Sequence, residues 1–318
     1  MANQELFILG AGFSFAVTNG VMPLLNGLTE ELLEDLYLEE EEDLQQLWYR
    51  YIETPNIGNV QTPKKSNFED IMTFLSAKFA YEDYKDEHYK AILYQYITER
   101  LVAIFEMKNI QKEVKNDNFL LKFAHYLRDT KADIFSFNYD LVLENLLCKI
   151  PNSSDVFDPL YTIRRTNSSE SRAWFDSKDL FWKNSLKIYK LHGSINWMYD
   201  PEYPAGVQVV TYNTMAENKN GLQYLLVPPT ILKNFGIRNN LLDLQWQEFS
   251  EKLKYAKKIY IIGYSIPKTD IATYYALKNR VQPDCQVFII SPQPKTNEWQ
   301  QLFNKQHQKK HLHIIQDG

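Results

Sequence analysis

The run Glu5-Leu6-Phe7-Ile8-Leu9 is apolar at successive positions and stops at Gly10-Ala11-Gly12. A strand with apolar residues on both faces must be covered on both, which is the condition of an inner strand in a parallel sheet. The same kind of run returns at Asp133-Ile134-Phe135-Ser136-Phe137 and at Leu186-Lys187-Ile188-Tyr189-Lys190-Leu191. It appears again at Lys258-Ile259-Tyr260-Ile261-Ile262-Gly263, at Cys285-Gln286-Val287-Phe288-Ile289-Ile290 and at Leu312-His313-Ile314-Ile315. Helical stripes at Leu141 to Leu147 and at Thr269 to Arg280 separate some of these runs. Alternation of this kind implies an α/β fold with a doubly wound parallel sheet.

Between the first two runs the pattern changes. From Leu28 to about Arg128 the chain reads as long helices, with turn signals at Thr54-Pro55-Asn56-Ile57-Gly58-Asn59 and Thr62-Pro63. Ser66-Asn67-Phe68-Glu69 is a capping box ahead of Ile71, Phe74 and Leu75. Glu87 to Met107 carries Ile92, Tyr96, Ile97, Leu101 and Ile104 at helical spacing. The expected organisation is a Rossmann-like sheet domain from residues 1–27 and 131–318, with a large helical insertion over 28–130. Glu39-Glu40-Glu41-Glu42-Asp43 lies in that insertion and reads as solvated surface, since adjacent carboxylates on one segment do not converge on a metal.

At 318 residues the chain can bury a core without staples, and Cys148 and Cys285 supply neither a disulfide framework nor a zinc motif. With no signal-like N-terminus and no apolar run of bilayer length, a soluble cytoplasmic protein is expected. A net charge of −5 with a pI of about 5.8 argues against a broad nucleic-acid surface. The short pairs Arg164-Arg165, Lys257-Lys258 and Lys309-Lys310 read as solvated charge. An aromatic content of 14%, with 21 tyrosines, is compatible with subunit interfaces as well as with a large core.

Chemistry concentrates where strands end. Gly10-Ala11-Gly12 permits a tight turn whose amides can face a phosphate, and Ser14 adds a hydroxyl; Gly20-Val21-Met22-Pro23 supplies a second turn. The dinucleotide fingerprint wants a third glycine where this chain has Phe15, so a turn that serves only packing is the plainer alternative. Asn138 and Asp140 follow a strand, at the end of the sheet where open α/β folds bind ligands, although both are also ordinary helix caps. His192 follows another strand, with Gly193 leaving room beside it; its plainer reading is a satisfied structural histidine.

Taken jointly, Gly10-Ala11-Gly12-Phe13-Ser14, Ser136-Phe137-Asn138-Tyr139-Asp140, Lys190-Leu191-His192-Gly193-Ser194 and Gly263-Tyr264-Ser265 resemble, in order and context, the sirtuin superfamily, over half to two thirds of the chain. The wording is similar to its bacterial sirtuin-like branch of antiphage NADases. The resemblance implies Asn138 and His192 as the catalytic pair. It also implies that Gly10, Ala11, Gly12 and Ser14 line the phosphates of NAD, that Pro23 is a further NAD-binding residue, and that Asp140 supports the placement of nicotinamide and ribose. Gly263, Tyr264, Ser265 and Ser291 would line the adenosine side. The zinc-binding cysteines of sirtuin deacetylases have no counterpart in residues 194–257, so no metal is implied. The implied activity is NAD+ hydrolysis to nicotinamide and ADP-ribose, or a cyclic relative, by an effector of abortive infection. Implied partners are NAD, further copies in a homo-oligomer, and a separate sensor, ATPase subunit or phage trigger. Alternatives are a non-catalytic NAD or ADP-ribose module and a zinc-free deacylase or ADP-ribosyl transferase.

Overall fold

The computed structural model describes residues 5–38, 68–111, 117–150, 164–165, 173–174, 186–200, 203–209, 222–227, 240–267, 270–303 and 311–316. The acidic run at Glu39, the turn signals at Thr54 and Thr62, Ser66 of the capping box and the Lys309-Lys310 pair fall outside them. Strand β1 (Glu5–Leu9) leads into α1 (Ala11–Val17) and α2 (Leu25–Leu38), followed by α3 (Phe68–Ser76), α4 (Tyr84–Gln111) and α5 (Asn118–Asp129). Then come β2 (Asp133–Ser136), α6 (Val142–Cys148), β3 (Arg164–Arg165), β4 (Ala173–Trp174), β5 (Lys187–Lys190), β6 (Gly193–Asp200), β7 (Tyr203–Val209) and β8 (Gln223–Leu226). The chain continues through α7 (Asn240–Tyr255), β9 (Lys258–Ile262), α8 (Ile271–Arg280), β10 (Gln286–Ile290), α9 (Thr296–Phe303) and β11 (Leu312–Ile315). Among the described residues no helix is long and apolar enough to cross a membrane.

Six strands form a parallel sheet in the order β11-β10-β9-β1-β2-β5. The chain builds outward from β1 through β2 to β5, returns to lay β9 on the other edge of β1, and builds outward again. This is the α/β, Rossmann-like, doubly wound arrangement, and the direction of winding reverses between β1 and β9. There the carboxyl ends of the strands splay, which is where such sheets hold ligands.

Side-chain alternation divides the core in two. Leu6, Ile8, Phe135, Tyr189, Ile259, Ile261, Val287 and Ile289 share one cluster with Phe249 and Leu253 of α7, Leu277 of α8 and Trp299 of α9. Phe7, Leu9, Ile134 and Ile188 point the other way. They join Leu28, Leu32, Phe68, Ile71, Met72, Leu75, Leu93, Ile97 and Leu101, so helices α2, α3 and α4 share a core with the sheet. Full burial stabilises each such side chain by about 1.5–3 kcal/mol relative to exposure, which is ample reason for the layers to stay closed. Local caps set the helix ends. Asp83 Oδ1 accepts from the amides of Lys85 at 2.8 Å and Asp86 at 2.9 Å, which starts α4 earlier than the apolar spacing alone suggests. Asp117 accepts from the Phe119 amide at 2.8 Å and starts α5.

A second sheet, antiparallel and ordered β3-β4-β7-β6-β8, is absent from the sequence reading. Its β6 begins at Gly193, directly after His192. Ser194 and Asn196 alternate there with Ile195 and Trp197 at the period of a strand, and all four are buried, so both faces of β6 are covered. Gly193 has φ 78°, and a Cβ on it would stand 1.9 Å from the Leu225 carbonyl oxygen, so only glycine lets the chain step from one sheet to the other at this point.

Candidate functional site

Three strand ends meet beside the winding reversal. Ser136 pairs with Lys190 in register, the Leu191 amide donates to the Ser136 carbonyl at 3.0 Å, and the Phe137 amide donates to the Leu9 carbonyl at 3.0 Å. Gly10, Asn138 and His192 therefore leave β1, β2 and β5 side by side. Asn138 is 7% and His192 8% exposed, so both contribute only a narrow edge to the surface. The imidazole packs against the residues on both sides of Asn138: its centroid is 5.0 Å from the Phe137 ring, edge-on, and 6.2 Å from the Tyr139 ring.

The amide of Asn138 is fixed by a directed chain of hydrogen bonds. Asp140 Oδ1 accepts from the Val142 amide at 3.0 Å and from the Ser14 hydroxyl at 2.9 Å. Having donated its only proton, Ser14 Oγ accepts from Asn138 Nδ2 at 2.9 Å, while the same Nδ2 donates to the Gly10 carbonyl at 3.0 Å. Both amide protons are thus engaged, which determines the direction in which Oδ1 of Asn138 is presented. Behind this chain Lys190 donates to the Asp140 carbonyl and pairs with Glu144 at 3.1 Å, both side chains being 1% exposed. Burial pushes the Asp140 carboxyl above its ordinary value, against the opposing pull of Lys190, the Val142 amide and Ser14.

The glycine turn packs closely on its neighbour. The Gly10 amide donates to the Ile262 carbonyl at 3.0 Å and the Gly12 amide to the Gly263 carbonyl at 2.9 Å. Gly263 has φ 63°, and a Cβ on it would lie 2.1 Å from the Phe13 nitrogen, so backbone meets backbone across the reversal. Ala11 is exposed on the first turn of α1, and Pro23 is half-buried just before α2. Tyr264 is 6% exposed; its ring stacks on Phe137 at 4.6 Å and its hydroxyl donates to Asp270. Burial and the neighbouring carboxylate push that phenol well above the ordinary tyrosine range. Ser265 is exposed in the same turn, and Ser291 is half-buried beyond β10, its amide donating to the Ile315 carbonyl at 3.1 Å.

The structure therefore joins Gly10, Ser14, Asn138 and Asp140 through hydrogen bonds and adds Gly12 and Gly263 through the backbone. It connects His192 and Tyr264 through Phe137 and through Asp270, whose Oδ2 is 3.9 Å from His192 Nε2. Asp270, Lys190 and Glu144 escape sequence reading. An aspartate just before a helix looks like a cap. A lysine at a strand end looks solvated. The one available signal was that a cation in a run apolar on both faces needs a buried counter-charge.

No family model matches the chain, and no curated protein matches it. Among solved structures, a chain from "Structural Basis for the Mechanism and Regulation of Sir2 Enzymes" is similar at 10% identity and a TM-score of 0.42, covering 99% of this chain and 88% of that one. A mutant Sir2 homologue in complex with 2'-O-acetyl ADP ribose is similar at 12% identity and a TM-score of 0.45, covering 99% and 86%.

Proposed function

We propose that this chain is an NAD+ glycohydrolase whose substrate lies across the carboxyl ends of β1, β2 and β5. The observation that carries the reading is the placement of an orientationally locked amide, Asn138, just past the end of β2, with a histidine, His192, just past the end of the neighbouring β5, beside the winding reversal of the sheet. Cleavage of the nicotinamide N-glycosidic bond develops positive charge on the ribose carbon, and a fixed carbonyl dipole is the element that stabilises such charge without reorganising. Oδ1 of Asn138 is set by its two donated bonds to Gly10 and Ser14 and can accept from a ribose hydroxyl or from the attacking water. His192 takes the water proton as the new C–O bond forms. The electron pair of the breaking C–N bond goes to the nicotinamide ring nitrogen, which leaves neutral. No step requires a metal.

The same reading extends to biology. Uncontrolled NAD loss is lethal, so an enzyme of this kind suits an effector of antiphage defence held silent until a change of assembly releases it. The decisive experiment is chromatography of NAD incubated with the chain at several protein concentrations. Release of nicotinamide and ADP-ribose, or its cyclic form, that is lost in Asn138→Ala and in His192→Ala supports the proposal. Intact NAD at every concentration, or full turnover in either variant, overturns it.

A further inference from the structure

Asp270 directly precedes α8 as its N-cap residue, yet its side chain makes no capping bond to that helix. An aspartate in this position ordinarily turns toward the helix amides. Here the carboxylate is turned away: it is 1% exposed, its Oδ2 accepts from the Tyr264 hydroxyl, and the same oxygen is 3.9 Å from His192 Nε2. The turn that delivers it is strained. Ile266, a β-branched residue directly before Pro267, has φ 46°, in the left-handed region that such residues avoid. A strained turn and a forgone cap both place one buried carboxylate against the imidazole.

We propose that Asp270 is the positioning residue of His192: held by Tyr264, it faces Nε2 of the ring and stabilises the imidazolium formed when His192 takes the proton of the attacking water. The water proton goes to His192 and not to Asp270. At 3.9 Å the pair is within ion-pair range and beyond hydrogen-bond length, so the attraction grows when the ring becomes charged. The groups around the ring are consistent with this assignment. Phe137 presents its edge, and the Tyr139 hydroxyl donates to the Val227 carbonyl at 2.6 Å. Lys190, two residues upstream, is paired with Glu144. Tyr264, with its phenol held well above the ordinary range, remains a donor to Asp270 across the working pH.

The catalytic consequence rests on the proposed hydrolysis, whereas the electrostatic one does not, and a single experiment separates them. The histidine ring signals of the full chain are titrated by NMR, His192 being identified by the signal lost in His192→Asn, alongside NAD turnover over the same pH range. In the wild type His192 is expected to titrate above its value in the unfolded chain. Asp270→Asn is expected to move that titration down by on the order of one pH unit. The acid limb of kcat/KM should move with it, and turnover should fall about ten- to hundredfold. If the titration moves but the wild type never consumes NAD, the positioning role stands and the hydrolase reading falls. If the wild type consumes NAD while Asp270→Asn leaves the titration and the acid limb in place, the positioning role falls. Should that variant fail to fold, the wild type decides: a His192 titration below the unfolded value, as burial alone gives, overturns the proposal.

Discussion

The two halves of the candidate site are surrounded differently. Asn138 is fixed by direct hydrogen bonds of 2.9 and 3.0 Å that lead back through Ser14 and Asp140 to a fully buried Lys190–Glu144 pair. His192 is bordered by aromatic rings and faces its carboxylate only at 3.9 Å. The difference follows from chemistry. An amide that orients a substrate never changes charge, so rigid pairing costs it nothing. For the imidazole, which we propose gains and loses a proton, a carboxylate at ion-pair distance favours the charged ring while leaving the neutral one accessible. Rigidity is therefore coupled to stability on the Asn138 side and separable from it on the His192 side.

The largest expected effect is at the base of the rigid half. Lys190→Met leaves Glu144 and Asp140 buried without their cation, which should cost about 3–5 kcal/mol. A thermal melt should show the midpoint falling by on the order of 10 °C, and an unchanged midpoint would show that the ion pair does not hold this half together. Next comes a pair of variants that tests the contrast itself. Asn138→Asp replaces two donated bonds with a carboxylate facing the Gly10 carbonyl, so NAD turnover and melting temperature should fall together. His192→Asn should lower turnover by about a hundredfold or more with little change in melting. Equal thermal losses in the two variants would erase the distinction.

Ser14→Ala should have a smaller effect, costing about 1–2 kcal/mol by leaving Asp140 and Asn138 each without one partner. Its turnover should decline less than that of Asn138→Asp, since the Gly10 bond to the amide survives. The smallest effect concerns pH. Burial raises the Asp140 carboxyl in the folded state. Its ionisation therefore opposes folding: the cost is absent below the unfolded carboxylate range and grows as pH rises toward the raised folded value. Asp140→Asn keeps acceptors for Ser14 and Val142 but cannot ionise. Urea unfolding at a series of pH values should show the wild type losing stability relative to this variant as pH rises through that window, and parallel curves would remove the assignment.

Sequence alone determined the parallel sheet. The runs at Glu5, Asp133, Lys187, Lys258, Gln286 and Leu312 each became a strand within a residue or so of the expected ends, because burial on both faces leaves an unbroken apolar signature. It also placed Asn138 and His192 at strand ends, since a strand that must stop at glycine or a polar residue marks its own boundary. Tertiary structure decided the order of the strands, the antiparallel sheet that starts at Gly193, and the partners of each polar group. Asp270 is 78 residues from His192 in sequence, and Lys190 meets Glu144 only because β5 lies beside the segment from β2 to α6. Burial of an apolar residue depends on its own surface and is legible locally, whereas the worth of a charge depends on the charge opposite it, which only the folded chain brings near.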